Sequence, residues 1–140
     1  MKDTLKTGLE YEFTFTVPES KTVPYLYPEA AEFLEMPRVL ATGFLVGLIE
    51  WTCIQSVNPH IDWPTEQTVG TKIDIAHMAA TPPGFQVTVK VRLVKIEGRL
   101  LVFEFEAGDG VDAICKGTHE RFIINAAKFG GKLEEKKMRR

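Results

Sequence analysis

Three polar residues stand where the surrounding pattern is apolar. Thr42 and Glu50 lie within the run VLATGFLVGLIEW, residues 39–51, and His77 ends an alternating segment whose other members on its face are Ile73 and Ile75. A hydroxyl, a carboxylate and an imidazole are what acyl transfer requires: an oxygen or activated water, a base for its proton, and a carboxylate to orient that base. Each group also has a plainer use. A carboxylate taken out of water seeks a cation such as Arg121, and a lone histidine on an apolar face can be a satisfied core residue. Arg121 lies in a segment apolar at both parities, with Ile123 on one face and Phe122 and Ile124 on the other, so a structural ion pair is its plainer role.

These side chains need elements to aim them. Residues 40 to about 57 read as one helix, with Thr42 as N-cap and Asn58-Pro59 as its stop. At 100° per residue from Thr42, Val46, Phe44, Leu48 and Ile49 fall at about 40°, 200°, 240° and 340°, which predicts a helix buried on every side. Thr42 and Glu50 share one flank, separated by roughly 12 Å along the axis. The unpaired N–H groups of the first turn, at Gly43, are the natural donors for a developing oxyanion, and Gly70 at the head of the His77 strand also permits close approach.

Alternation supplies the sheet. LEYEFTFTV, residues 9–17, sets Tyr11, Phe13, Phe15 and Val17 against charged and hydroxyl residues. GTKIDIAHMAA, QVTVKVRL, LLVFEFEA and a last strand at about 111–124 follow, separated by Pro82-Pro83-Gly84, Glu97-Gly98 and Gly108-Asp109-Gly110. Short turns predict an antiparallel meander of these four, and the N-terminal strand makes five. The expectation is an α+β hot-dog fold over 1–140, a sheet of about five strands wrapped around one long central helix. A proline-rich, lid-like excursion occupies about 18–38, and a charged solvated tail about 129–140, with Gly130-Gly131 marking the last ordered turn.

Composition narrows the function. A chain of 140 residues with 44% apolar and 26% charged content suits one soluble domain, and a net charge of −2 lacks the basic excess of a nucleic-acid binder. Six basic and two acidic residues between Lys128 and Arg140 give the tail the opposite sign. Two isolated cysteines and no apolar leader or 18-residue apolar run point to a cytoplasmic protein with no membrane partner. Dinucleotide, P-loop and nucleophile-elbow motifs are missing, and three scattered histidines make no metal site.

Several motifs together carry a resemblance. ATGFLVGLIEW, HMAATPPG and GTHER, in this order behind TVPYLYPEAAEF, resemble the fluoroacetyl-CoA thioesterase family of hot-dog enzymes over about residues 8–128. The resemblance implies a catalytic set of Thr42, Glu50, His77 and Arg121, a binding glycine at Gly70, no metal, and no cofactor beyond the coenzyme A of the substrate. It also implies a homodimer with acyl-CoA sites near the subunit interface. The family's lid corresponds to Val23, Leu26, Phe33 and Met36, where Met36 replaces one of an aromatic pair by a flexible thioether. The expected activity is hydrolysis of a short-chain acyl-CoA, fluoroacetyl-CoA being one candidate. The alternatives are a non-catalytic acyl-CoA binding module and enoyl-thioester hydration, the latter without a DxNPxH-like run to support it.

Overall fold

The computed structural model describes all 140 residues. The strands are β1 (Glu10–Thr16), β2 (Glu66–His77), β3 (Gln86–Glu97), β4 (Leu100–Gly108) and β5 (Ala113–Asn125). The helices are α1 (Ala31–Leu34), α2 (Thr42–Val57) and α3 (Ala126–Met138). All five strands form one antiparallel sheet that curls around α2, as the alternation and the apolar helix predict. Val87, Val89, Val91 and Leu93 of β3 and Leu101, Phe103 and Phe105 of β4 point inward, meeting Leu45, Leu48, Ile49, Cys53 and Val57 of α2 in one buried cluster.

The strand order is β1-β3-β4-β5-β2, which corrects the four-strand meander. Only β3, β4 and β5 are sequential neighbours, while β2 pairs with β5 along the far margin of the sheet. Alternation reveals which face a residue takes, but not which strand lies beside it. Gly117 makes the β2–β5 pairing possible: a Cβ there would lie 1.9 Å from the Asp74 carbonyl oxygen and 2.8 Å from the Phe105 ring. A bulge between Gly70 and Lys72 shifts the register, so that Thr68 and Gly70 share the inner face with Ile73, Ile75 and His77.

Three further expectations are revised. The helix is not buried all round, since Gly43, Gly47 and Trp51 form an open flank at i, i+4 and i+8, with Trp51 48% exposed. The sheet of one chain wraps only part of the cylinder, and Phe13 and Phe15 of β1 cover just one side of Trp51, with ring centroids 4.8 and 6.2 Å away. Thr42 is not the N-cap: that position is Ala41, which provides no side-chain cap, and Thr42 is the first helical residue. Gly130-Gly131 does not end the order either, because both lie inside α3. Asn125 caps α3 by accepting from the Lys128 N–H at 3.0 Å, and Lys136 and Lys137 face the negative end of its dipole. None of α3 is buried.

Candidate active site

Thr42 and His77 meet. Thr42 Oγ1 lies 2.8 Å from His77 Nδ1, joining the first turn of α2 to the end of β2. Both approaches are fixed by backbone. Ala41 N–H donates to the Lys21 carbonyl at 3.1 Å and Leu40 N–H to the Thr81 carbonyl at 2.8 Å, while Met78 N–H donates to the Ile114 carbonyl at 2.7 Å. The buried Thr81 hydroxyl donates in turn to Asp109 Oδ2 at 2.8 Å. Burial pushes the His77 pKa down, so its imidazole is neutral at neutral pH. With the ring proton on Nε2, the Thr42 hydroxyl donates to Nδ1, the arrangement of a nucleophile or water-binding oxygen beside its base. His77 Nε2 is then a buried donor with no partner in its own chain.

Glu50 and Arg121 form a second cluster. Arg121, 2% exposed, donates from Nη1 to Glu50 Oε2 at 2.9 Å, from Nε to Thr68 Oγ1 at 2.8 Å and from Nη2 to the Thr68 carbonyl at 2.8 Å. The Glu50 side chain is 38% exposed, leaving Oε1 open to a further donor. Gly70 lies directly over this pair: a Cβ there would come within 2.8 Å of Glu50 Oε2 and 3.3 Å of Arg121 Nη1. The glycine therefore clears a path to the carboxylate. Because α2 begins on an uncapped Ala41, its first-turn N–H groups at Thr42 and Gly43 have no intrahelical acceptor and can receive an oxyanion.

The sequence-derived set thus divides into two pairs, Thr42 with His77 and Glu50 with Arg121, set apart by two turns of α2. Of the lid residues, Leu26 reaches the site, its Cδ1 3.0 Å from where a Gly43 Cβ would be. Val23 anchors the excursion through its N–H to the Val39 carbonyl at 3.0 Å. Phe33 stacks on Tyr27 with centroids 6.2 Å apart, and Met36 is 46% exposed, so these two lie on the outer part of the excursion. Two residues were missed. His119 accepts from Arg121 Nη1 at 3.1 Å, and Thr68 holds the other side of the guanidinium. His119 shares strand parity with Arg121, which is the available signal; Thr68 precedes Gly70, where the alternating segment GTKIDIAHMAA begins, whereas β2 itself starts at Glu66.

Known proteins share this sequence and fold. Residues 25–127 match the family model described as fluoroacetyl-CoA-specific thioesterase. A fluoroacetyl-CoA thioesterase from Streptantibioticus cattleyicolor is 48% identical over 136 residues, 97% of each chain. The crystal structure of a point mutant of the fluoroacetyl-CoA-specific thioesterase FlK superposes with a TM-score of 0.93 at 48% identity, covering 96% of this chain and 99% of that one. A hot-dog-like protein from Thermanaerovibrio acidaminovorans, 17% identical, shares the fold with a TM-score of 0.79 over 94% of this chain and 93% of its own. With its two polar pairs, its wrapped helix and these matches, the chain belongs to the fluoroacetyl-CoA-specific thioesterase family.

Proposed function

We propose that this protein hydrolyses short-chain acyl-CoA thioesters to a carboxylate and free CoA, as a homodimer whose two sites each draw on both subunits. The observation that carries the reading is the hydrogen bond between Thr42 and His77, with His77 Nε2 left unpartnered in its own chain and the same chain's Glu50 two turns of α2 away from Thr42. Strand β2 is last in the sheet, so its outer backbone edge is unpaired. Antiparallel pairing of β2 with its own copy about a two-fold axis near the middle of the strand would bring the His77 end of one strand towards Gly70 of the partner subunit. Glu50 of the partner subunit, beneath that glycine, would then accept from His77 Nε2.

In this arrangement His77 takes a proton from Thr42 or from a water held by it. The freed oxygen attacks the thioester carbonyl, the first-turn N–H groups of α2 receive the oxyanion, the C–S bond breaks, and His77 returns the proton to the CoA thiolate. Attack by Thr42 leaves an acyl ester that a second water cleaves; attack by water ends in one stage. Leu26, packed on Gly43, closes over the helix start and suits a short acyl group. Fluoroacetyl-CoA is one such substrate, and the Met36 thioether makes its selection over acetyl-CoA a matter for measurement. The free, buried Cys53 and Cys115 fit a reducing compartment, the cytoplasm. Thiol release from a panel of acyl-CoAs tests the assignment: turnover of two- to four-carbon acyl groups supports it. No release from any acyl-CoA by folded, dimeric protein would end it.

A further inference from the structure

His119 is buried, with 2% of its surface exposed, and both of its ring nitrogens are engaged. Nδ1 lies 2.8 Å from the Lys72 carbonyl oxygen and Nε2 lies 3.1 Å from Arg121 Nη1. A carbonyl only accepts and a guanidinium only donates. The proton must therefore sit on Nδ1 and the lone pair on Nε2, so the surroundings admit one tautomer and no charge. The same Nη1 holds Glu50 Oε2, so one guanidinium nitrogen ties the imidazole to the carboxylate.

We infer that His119 is a positioning residue: as a neutral acceptor it seats the Arg121 guanidinium against Glu50, and its protonation unseats that pair. The inference rests on the proposed role of Glu50. Charging His119 removes the acceptor for Nη1 and places a second cation beside the first in a buried site. The groups around it leave little to offset this. From α2 it faces Glu50, which Arg121 already occupies; from β2 it faces a backbone carbonyl, the Lys72 ammonium being turned outward to Glu120 at 3.8 Å; from β4 it faces Phe103. On its own strand the charged neighbours are Glu120 and Arg121. Burial, the largest influence, holds the imidazole below its ordinary pKa; Arg121 adds to the effect, and the hydrogen bond to Lys72 and the Glu50 and Glu120 carboxylates oppose it without reversing it.

Two measurements on the full-length protein decide this. Imidazole 15N NMR should show His119 protonated on Nδ1 alone at neutral pH, a result independent of any turnover. In thiol-release assays, H119A should lose about ten- to hundred-fold in kcat with KM nearly unchanged. H119Q, whose amide oxygen can accept from Nη1, should recover much of that loss, and in a pH–rate profile of thiol release its fall towards acid should be shallower than the parent's because the His119 step is removed. An Nε2-protonated or charged His119 at neutral pH would overturn the inference, as would H119A turnover within about two-fold of the parent. Should H119A not fold, the NMR result and H119Q still decide. Wild-type protein that releases no thiol would end the functional reading, while the NMR result would still report on His119.

Discussion

Thr42 Oγ1 lies within 2.8 Å of His77 Nδ1, although thirty-five residues separate them in the chain. The contact exists because α2 starts where β2 ends, and because Leu40 and Thr81 join the two approaches through their backbones. Thr42 owes its freedom to Ala41, which takes the cap position and leaves the hydroxyl available to the imidazole.

Removing that hydroxyl should affect rate far more than stability. Thr42→Ala is expected to lower kcat/KM by about a hundred-fold or more, and Thr42→Ser to keep most of the activity. Because Thr42 is not the cap, the alanine variant should lose under about 0.5 kcal/mol of stability, against about 1 kcal/mol for a true N-cap. Thiol-release kinetics and chemical denaturation check the two halves separately.

Glu50 should affect both. Glu50→Ala leaves a guanidinium hydrogen of the buried Arg121 without its acceptor, which should cost about 1–3 kcal/mol, reduced by the partial exposure of the Glu50 side chain. Glu50→Gln keeps an acceptor oxygen and should be clearly more stable than the alanine variant, yet remain slow in turnover. Equal denaturation midpoints for the two would contradict the pairing.

Acid should destabilise the fold in two stages. Burial pushes the His77 and His119 pKa values down. Burial alone would raise that of Asp109, but hydrogen bonds from the Asp112 and Val111 N–H groups and the Thr81 hydroxyl outweigh it and hold the carboxyl low. In each case the unfolded state binds more protons, so stability is full above the unfolded pKa and is lost as pH falls through the folded one. The decline starts near about 6.5 for the histidines and near about 3.9 for Asp109. Glu66, lowered by its bond to the N-terminal ammonium, adds to the lower stage. Asp109→Asn should shrink that lower stage and leave the upper one intact. A Tm that rose on acidification from neutrality would contradict this.

The thiols should be silent in the folded protein. Burial pushes Cys53 up to about 12 and Cys115 up to about 11. Iodoacetamide at mildly alkaline pH should leave both unmodified over hours and label both once the chain is unfolded. Mass spectrometry of the two samples reads the result directly.

Much of this was legible in the residues. Alternation in β1, β3 and β4 and the apolar run of α2 follow from which side chains must leave water, a property local to each segment. What escaped reading depends on partners far along the chain. The β2–β5 pairing, and with it the seat of Arg121 beside His119 and Thr68, arises from strands about 50 residues apart in sequence, whose own patterns do not name each other. Thr-Gly before an apolar run is the usual signal of a cap and points to Thr42; that Ala41 takes the position instead depends on the distant Lys21 carbonyl, which holds its N–H. The open flank at Gly43, Gly47 and Trp51 could not be inferred from a helix apolar on every side, because one chain's sheet is too narrow to close around it.

Subunit mixing tests the central claim most directly. Thr42→Ala and Glu50→Gln proteins, each nearly inactive alone, are unfolded together, refolded and assayed for thiol release. A site built from Thr42 and His77 of one subunit and Glu50 of the partner subunit is restored once in every mixed dimer, so activity should return to about a quarter of the wild-type level per chain. A mixture as inactive as its two components, with mixed dimers demonstrated, would contradict a shared site.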